Sequence, residues 1–223
     1  MECMVLCFKA PEPGKVLAGM APLLDPTKAS KLYEAMIDDA LDWSQELGVK
    51  RIVACEPSAQ HPFFQSLTKR VYIEMADNPG QTRGQLINNA FSIGFKLGAS
   101  KVLLWNGEAP TLTGKMFKEG YSRLEKATMV LGPGMNYRHY LLGAKKQPPT
   151  IFENVKWDTP REFADLIHAC DASKISYHIH HFWHQLQRVD DVPFFSMYLN
   201  QINKTFPRQA RHTKKILASL SLL

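Results

Sequence analysis

In "KVLLWNGEAPTL", residues 101–112, an apolar strand runs into a short polar loop where Asn106 and Glu108 stand two positions apart. A carboxylate pair that holds a divalent metal has that spacing, although only Glu108 is acidic here. Four other stretches carry residue types able to do chemistry. "KAPEPGKVLAGMAP", residues 9–22, places Lys9 and Lys15 around a Pro13-Gly14 turn. "LGPGMNYRHYLLG", residues 131–143, offers Asn136 and Tyr137, which suit a hairpin turn as well as contact with a sugar or base. "RVDD", residues 188–191, ends in Asp190 and Asp191, able to orient or deprotonate a hydroxyl, or simply to shape a turn. "HIHHFWH" puts His178 and His180 on one side of a strand, but no acidic or cysteine partner follows at a metal-binding spacing.

The elements that must position these residues alternate. A strand over 3–8 is followed by a helix with Asp25 as N-cap, Pro26 at its first position and Gly48 as its stop. Between them Ala29, Leu32, Tyr33, Met36, Ile37, Ala40 and Leu41 form one apolar stripe. Strands follow at 51–55 and 70–75, then a helix from Arg83 to Leu97, the strand Val102–Trp105 and a weaker helix to about Lys126. Further strands are expected at 128–132, 138–144 and 175–182, with helices over 160–169 and after Pro193. This order predicts βαβ units in a single three-layer α/β/α domain with a mixed, mostly parallel sheet. In such sheets ligands lie beyond the carboxyl ends of the strands, which here means loop 9–22, loop 106–111 and the stretch 132–139. Neither a phosphate-binding P-loop nor a dinucleotide fingerprint is present.

The composition, 45% apolar and 22% charged, is that of an ordinary globular chain. No apolar run is long enough to cross a bilayer, and Met1–Phe8 lacks the basic start of a secretory signal. Four cysteines without metal-binding spacing read as reduced thiols, and the expected compartment is the cytoplasm. The net charge is +6, and five of those charges fall at Lys204, Arg208, Arg211, Lys214 and Lys215, where no acid follows. Residues 1–203 are therefore expected to form the domain and 204–223 a fraying basic tail, and nucleic acid is not the expected partner.

At the three crevice segments the chain resembles the short bacterial glycosyltransferase-A-type proteins, a family of unknown function related to nucleotide-diphospho-sugar transferases. The resemblance spans about residues 4–192. Lys9, Pro11, Pro13, Gly14, Val16, Ala21 and Pro22 match that family's first loop. "NGEAPTL" is similar to its Gly-Ser-Asp-x-Pro-Thr-Leu, and "LGPGMNYRHYLLG" to its Leu-Gly-Pro-x-x-Asp-Gly-Gly-Tyr-Tyr-Leu-Ile-Gly. The resemblance implies a glycosyltransferase-A fold and transfer of a sugar from a nucleotide-diphospho-sugar donor. It gives Mg²⁺ or Mn²⁺ at Glu108, contact with the donor at Lys9, Pro13, Gly14, Lys15, Gly84, Asn136 and Tyr137, and a catalytic role for Asp190. The departures are at charged positions. Leu17, Ala18 and Gly19 stand where the family has lysine, threonine and arginine, Thr82 and Leu86 replace an aspartate and an arginine, and Asn136 replaces an aspartate. Two alternatives stay open: an inactive binding or regulatory protein whose basic tail contacts a partner, and a nucleotidyltransferase.

Overall fold

Strand β1 (Glu2–Lys9) buries Cys3, Met4, Val5 and Leu6 completely, so both of its faces are covered. A strand buried on both sides reads as an unbroken apolar run, and "CMVLCF" does. The computed structural model describes residues 1–206 and 208–223, so Pro207, within the expected tail, lies outside them. In it β1 is an interior strand of a seven-stranded sheet with β2 (Lys50–Glu56), β3 (Glu74–Asp77), β4 (Lys101–Trp105), β5 (Met129–Pro133), β6 (His139–Ala144) and β7 (Tyr177–Ile179). The order is β3-β2-β1-β4-β6-β5-β7, with β6 antiparallel to both of its neighbours and the rest parallel.

Helices cover both faces, giving the expected three layers. On one face Met4, Leu6 and Trp105 pack in a core with Leu32 and Met36 of α1 (Pro26–Ser44), Phe64 of α2 (Pro62–Thr68) and Phe117 of α4 (Gly114–Arg123). On the other, Val5 and Leu104 meet Phe91 of α3 (Arg83–Lys96) and Leu166 of α5 (Glu162–Ala172). The Asp25 cap and the Gly48 stop are as read, and Thr82 adds a cap that the sequence reading did not name. Asp25 Oδ1 accepts from Lys28 N at 2.9 Å, Thr82 caps α3, and Gly48 takes φ 69° after a short 3-10 turn.

Three expectations need correction. Residues 70–73 are not strand: they follow α2, a short helix announced only by His61 and Pro62, and the edge strand β3 begins at Glu74. β7 is three residues long, because beyond Ile179 the chain turns His180 inward. Residues after Lys204 are not a fraying arm. α6 (Asp191–Thr205) leads to α7 (Arg211–Ser219), which packs on α1 and buries Thr213 and Leu217.

The pairing register brings the chemistry to one end. Lys9 ends β1, Trp105 ends the parallel β4, and the antiparallel β6 starts at His139 beside them, where Trp105 pairs with Leu141. The N-terminus of α3 arrives at the same end.

Candidate functional site

A cleft opens at that end, its walls made by the loop after β1, the loop after β4, the start of β6 and the first residue of α3. Lys9 lines it. Its ammonium lies 3.5 Å from Glu56 Oε1 on the adjacent strand, and its backbone N–H donates to the buried Tyr33 hydroxyl at 3.3 Å. Pro13 and Gly14 do not reach the cleft. They form an exposed turn, with Gly14 at φ 80°, which returns Lys15 to the cleft wall. Lys15 is mostly exposed there and pairs with Glu12 at 2.7 Å. Gly19 packs against the 187–188 segment, where an added Cβ would lie 2.9 Å from the Gln187 carbonyl. No side chain fits there without that segment moving.

Beyond β4, Gly107 at φ 77° makes the tight turn that sets Asn106 and Glu108 side by side. Asn106 Nδ2 donates to Glu108 Oε2 at 2.6 Å, and Asn106 Oδ1 accepts from the Glu108 backbone N–H at 3.1 Å. Gln187 Nε2 donates to the same Oε2. Gln187 Oε1 in turn accepts from Asn136 Nδ2 at 2.7 Å and Arg138 at 3.3 Å. Asn136 is thus one step behind the cleft wall, while Arg138 lines it and pairs with Asp158 at 3.1 Å. Burial pushes the Glu108 carboxyl above its usual range, partly offset by Arg83, Gln187, Arg138 and His139. These surroundings do not fit a bound divalent cation. One oxygen of the lone carboxylate already takes two amide N–H groups, and the nearby Arg83 and Arg138 charges oppose a second cation. Among the described residues no cluster of three metal-ligating side chains forms.

Arg83 is the residue the sequence reading passed over as a helix start. It lies deep in the cleft and lines it together with Glu108 and His139. Among the described residues its guanidinium has no hydrogen bond or ion pair. Burial pulls its pKa down, but Glu108, Asp158 and Glu162 more than offset this, so the guanidinium is held charged. The resemblance puts an arginine at Leu86. Arg83 is one turn earlier, where positions i and i+3 share a helix face, and Leu86 lines the cleft beside it.

Gly84 touches no ligand space. An added Cβ would fall 2.5 Å from the Phe152 carbonyl oxygen, so the glycine lets α3 lie against the 3-10 turn Ile151–Asn154. Gly84→Ala is expected to cost about 2–3 kcal/mol through overpacking against rigid backbone. The check is a lower urea midpoint at an unchanged denaturant slope.

The start of β6 supplies a second pair missed in sequence. His139 Nδ1 lies 2.6 Å from Glu162 Oε1, the His139 backbone N–H donates to the same oxygen at 3.0 Å, and Asp158 N donates to Oε2 at 2.9 Å. Burial raises the Glu162 pKa, but His139 and these hydrogen bonds outweigh it and hold the carboxyl down to about 2. Tyr137 sits at φ 67°, exposed on the β5–β6 turn and away from the cleft lining. Asp190 is exposed at the start of α6 and does not line the cleft. Its neighbour Asp191 turns back to accept from Gln187 N and Arg188 N, both at 2.8 Å. The catalytic place expected for Asp190 is therefore not one the fold gives it, because the pair starts α6 and neither member lines the cleft.

The family described as "Uncharacterized protein conserved in bacteria (DUF2064)" matches residues 40–159, more than half of the chain. The protein belongs to this family. No curated protein matches its sequence. Among solved structures, a provisionally named nucleotide-diphospho-sugar transferase from Desulfovibrio desulfuricans G20 superposes with a TM-score of 0.83 at 20% identity. The match covers 98% of this chain and 94% of the other. A nucleotidyl transferase from Methanothermobacter thermautotroptrophicus gives 0.57 at 12% identity, covering 91% and 99%. 4-Diphosphocytidyl-2C-methyl-D-erythritol synthase from Anaerococcus prevotii gives 0.54 at 12%, covering 89% and 96%. This DUF2064 member therefore has the nucleotide-diphospho-sugar transferase-like fold. Among its described residues no helix is long and apolar enough to cross a membrane.

Proposed function

We propose that the protein binds a nucleotide-diphospho-sugar in this cleft and transfers the sugar to a hydroxyl acceptor, as a soluble, cytoplasmic enzyme. The observation that carries the reading is Arg83, a half-buried cation without a hydrogen bond among the described residues, placed at the carboxyl ends of the strands of this fold. A guanidinium held charged and unsatisfied calls for an anionic partner, and a diphosphate offers matching pairs of oxygens. Lys9, Lys15 and Arg138 line the same cleft and would share that charge. Past Arg83 the cleft continues into a chamber lined by Ala54, Asn78, Leu86, Ile87 and Leu104. Asn78 is buried there and its Oδ1 has no partner among the described residues, as suits a group that recognises a ligand N–H.

In sugar transfer, negative charge grows on the leaving diphosphate, and preorganised cations lower that barrier. In this chain that work falls to Arg83 with Lys9 and Lys15. A second reading, binding without turnover, is favoured by the amides that hold Glu108 in a fixed hydrogen-bonded corner. Nucleotidyl transfer is the third, consistent with the fold alone.

The test is thermal unfolding with UDP-, GDP- and dTDP-sugars at millimolar concentration, followed by product analysis. One of these donors is expected to raise Tm equally in EDTA and in Mn²⁺, since a ligand selective for the folded state stabilises it by mass action. Release of nucleoside diphosphate supports transfer, whereas pyrophosphate released from a nucleoside triphosphate would identify nucleotidyl transfer. No shift with any nucleotide sugar would sink the proposal.

A further inference from the structure

His139 and Glu162 are both buried, at 8% and 2% exposure, yet they belong to a cleft wall rather than to the apolar core. The ionised carboxylate can only accept, so the 2.6 Å contact requires His139 Nδ1 to carry the proton. In the neutral ring Nε2 is then a lone-pair acceptor. Among the described residues Nε2 has no hydrogen-bond partner, and the ring lines the same space as Arg83, Asn106 and Glu108. Three further contacts fix the ring. The Glu162 oxygens take two backbone N–H groups besides the ring, Gln185 Nε2 donates to the His139 carbonyl at 3.2 Å, and Trp157 packs at 5.6 Å in an edge-to-face arrangement. A carboxylate that orients an imidazole toward a ligand space is the arrangement of a positioned base.

We propose that His139, held by Glu162, is the proton acceptor of this cleft. The inference rests on the sugar-transfer reading. His139 Nε2 takes the proton as the acceptor O–H bond breaks. The acceptor oxygen forms its bond to the anomeric carbon. The bond from that carbon to the diphosphate oxygen breaks, its electron pair leaving with the nucleoside diphosphate. His139 fills the place that Asp190, outside the cleft, does not. Glu162 is a positioning residue and touches no substrate. The charged groups around the ring are Glu162 from α5, Asp158 from the loop before it, Arg138 beside it on the chain, Arg83 from α3 and Glu108 from the loop after β4.

The experiment uses the full chain with UDP-glucose, GDP-mannose and dTDP-glucose as donors and water or glycerol as acceptor. Donor affinity is read by calorimetry and turnover by nucleoside diphosphate release. His139→Asn keeps an amide N–H close to the Nδ1 position and removes Nε2. It is expected to leave donor Kd within about threefold and to lower kcat on the order of a hundredfold or more. Wild-type kcat should fall on the acid side, where a protonated ring cannot accept, and that limb should be absent from the residual rate of His139→Asn. Glu162→Gln, which keeps one acceptor oxygen, should lower kcat with little change in donor KM. A buried pair with a purely structural role would lower Tm in both variants without altering the pH profile of kcat. Donor binding with kcat retained in a folded His139→Asn overturns the inference alone, as does wild-type binding without any turnover. Failure of every donor to bind overturns the sugar-transfer reading, and this inference with it.

Discussion

Arg83→Met is expected to weaken binding of the preferred nucleotide-diphospho-sugar on the order of a hundredfold while leaving the chain folded. Truncating one partner of a buried, charge-assisted contact costs roughly 2–5 kcal/mol, and about 1.4 kcal/mol is a factor of ten. Methionine keeps the length and apolar stem of the side chain, so packing beside Leu86 and Ile87 at the start of α3 should survive. The variant also tests the electrostatics of the empty cleft. Arg83 is the largest influence drawing the Glu108 pKa back toward its ordinary 4.5, and without it that carboxyl should rise further. A carboxyl raised in the folded state contributes stability that is full below the unfolded value and lost as pH rises through the folded one. Urea midpoints of the variant should therefore decline more steeply than those of the wild type as pH rises above 4.5. An unchanged donor Kd in the variant would remove the cation on which the functional reading stands.

The same argument separates this cleft from a metal site. A divalent ion at Glu108 would find one of the two carboxylate oxygens already taken by two amide donors, and would sit near two guanidinium groups. Arg83 and Arg138 instead supply positive charge as fixed parts of the protein, with no ion to recruit. Donor binding should accordingly be insensitive to chelators, and Glu108→Gln should disturb it less than Arg83→Met. Glu108 then acts mainly as an anchor, receiving Asn106 and Gln187 and tying the loop after β4 to the segment before α6 through the Leu186 N–H to Glu108 carbonyl bond of 2.8 Å.

How much of this was legible in sequence follows from which signals are local. α1 was readable because a cap, an apolar stripe and a terminal glycine agree along it, and α3 because Leu86, Ile87, Ala90 and Phe91 recur at helical spacing before Gly98. The central strands were readable because they are buried on both faces. Lys9, Lys15 and Glu108 were placed at the cleft by the rule that ligands lie beyond the strand ends, and the fold puts them there. The rest depended on contacts between distant segments. His139 and Glu162 are 23 positions apart, and Glu108 and Gln187 are 79 apart, so no motif spacing links them. Pro13, Gly14 and Gly84 share the resemblance because they shape the backbone: two form an exposed turn, and the third admits Phe152. Arg83 was obscured by looking for an arginine at one position when the same helix face offers another a turn away.

Deleting residues 206–223 is expected to destabilise the protein by about 4–6 kcal/mol, a large part of the roughly 5–15 kcal/mol that holds a domain together. The charge count that suggested a loose arm counted Arg211, Lys214 and Lys215 and overlooked Thr213, Ile216, Leu217 and Leu220, which recur at helical spacing between them. Thr213 and Leu217 are fully buried, while Ile216, Leu220 and Leu222 pack at the margin of the core. Burying one leucine is worth about 1.5–3 kcal/mol, and the partly covered side chains bring the total to the figure above. The helix is also anchored at its start. Asp39 of α1 accepts from the His212 N–H at 2.9 Å and the Thr213 N–H at 2.8 Å, so the two first-turn donors are satisfied by a neighbouring helix. Asp39→Ala should cost about 1–2 kcal/mol of its own, the usual value of a lost cap. Burial raises the Asp39 pKa, and the bonds from Thr213 and His212 only partly offset it. Its contribution is therefore full below the ordinary 3.8 and lost as pH rises through the folded value. The truncation, which returns Asp39 to water, should thus be more damaging near pH 4 than near neutrality as far as this group is concerned. Urea unfolding of the full and shortened chains at both pH values decides the matter, and equal midpoints throughout would restore the picture of a detachable basic arm.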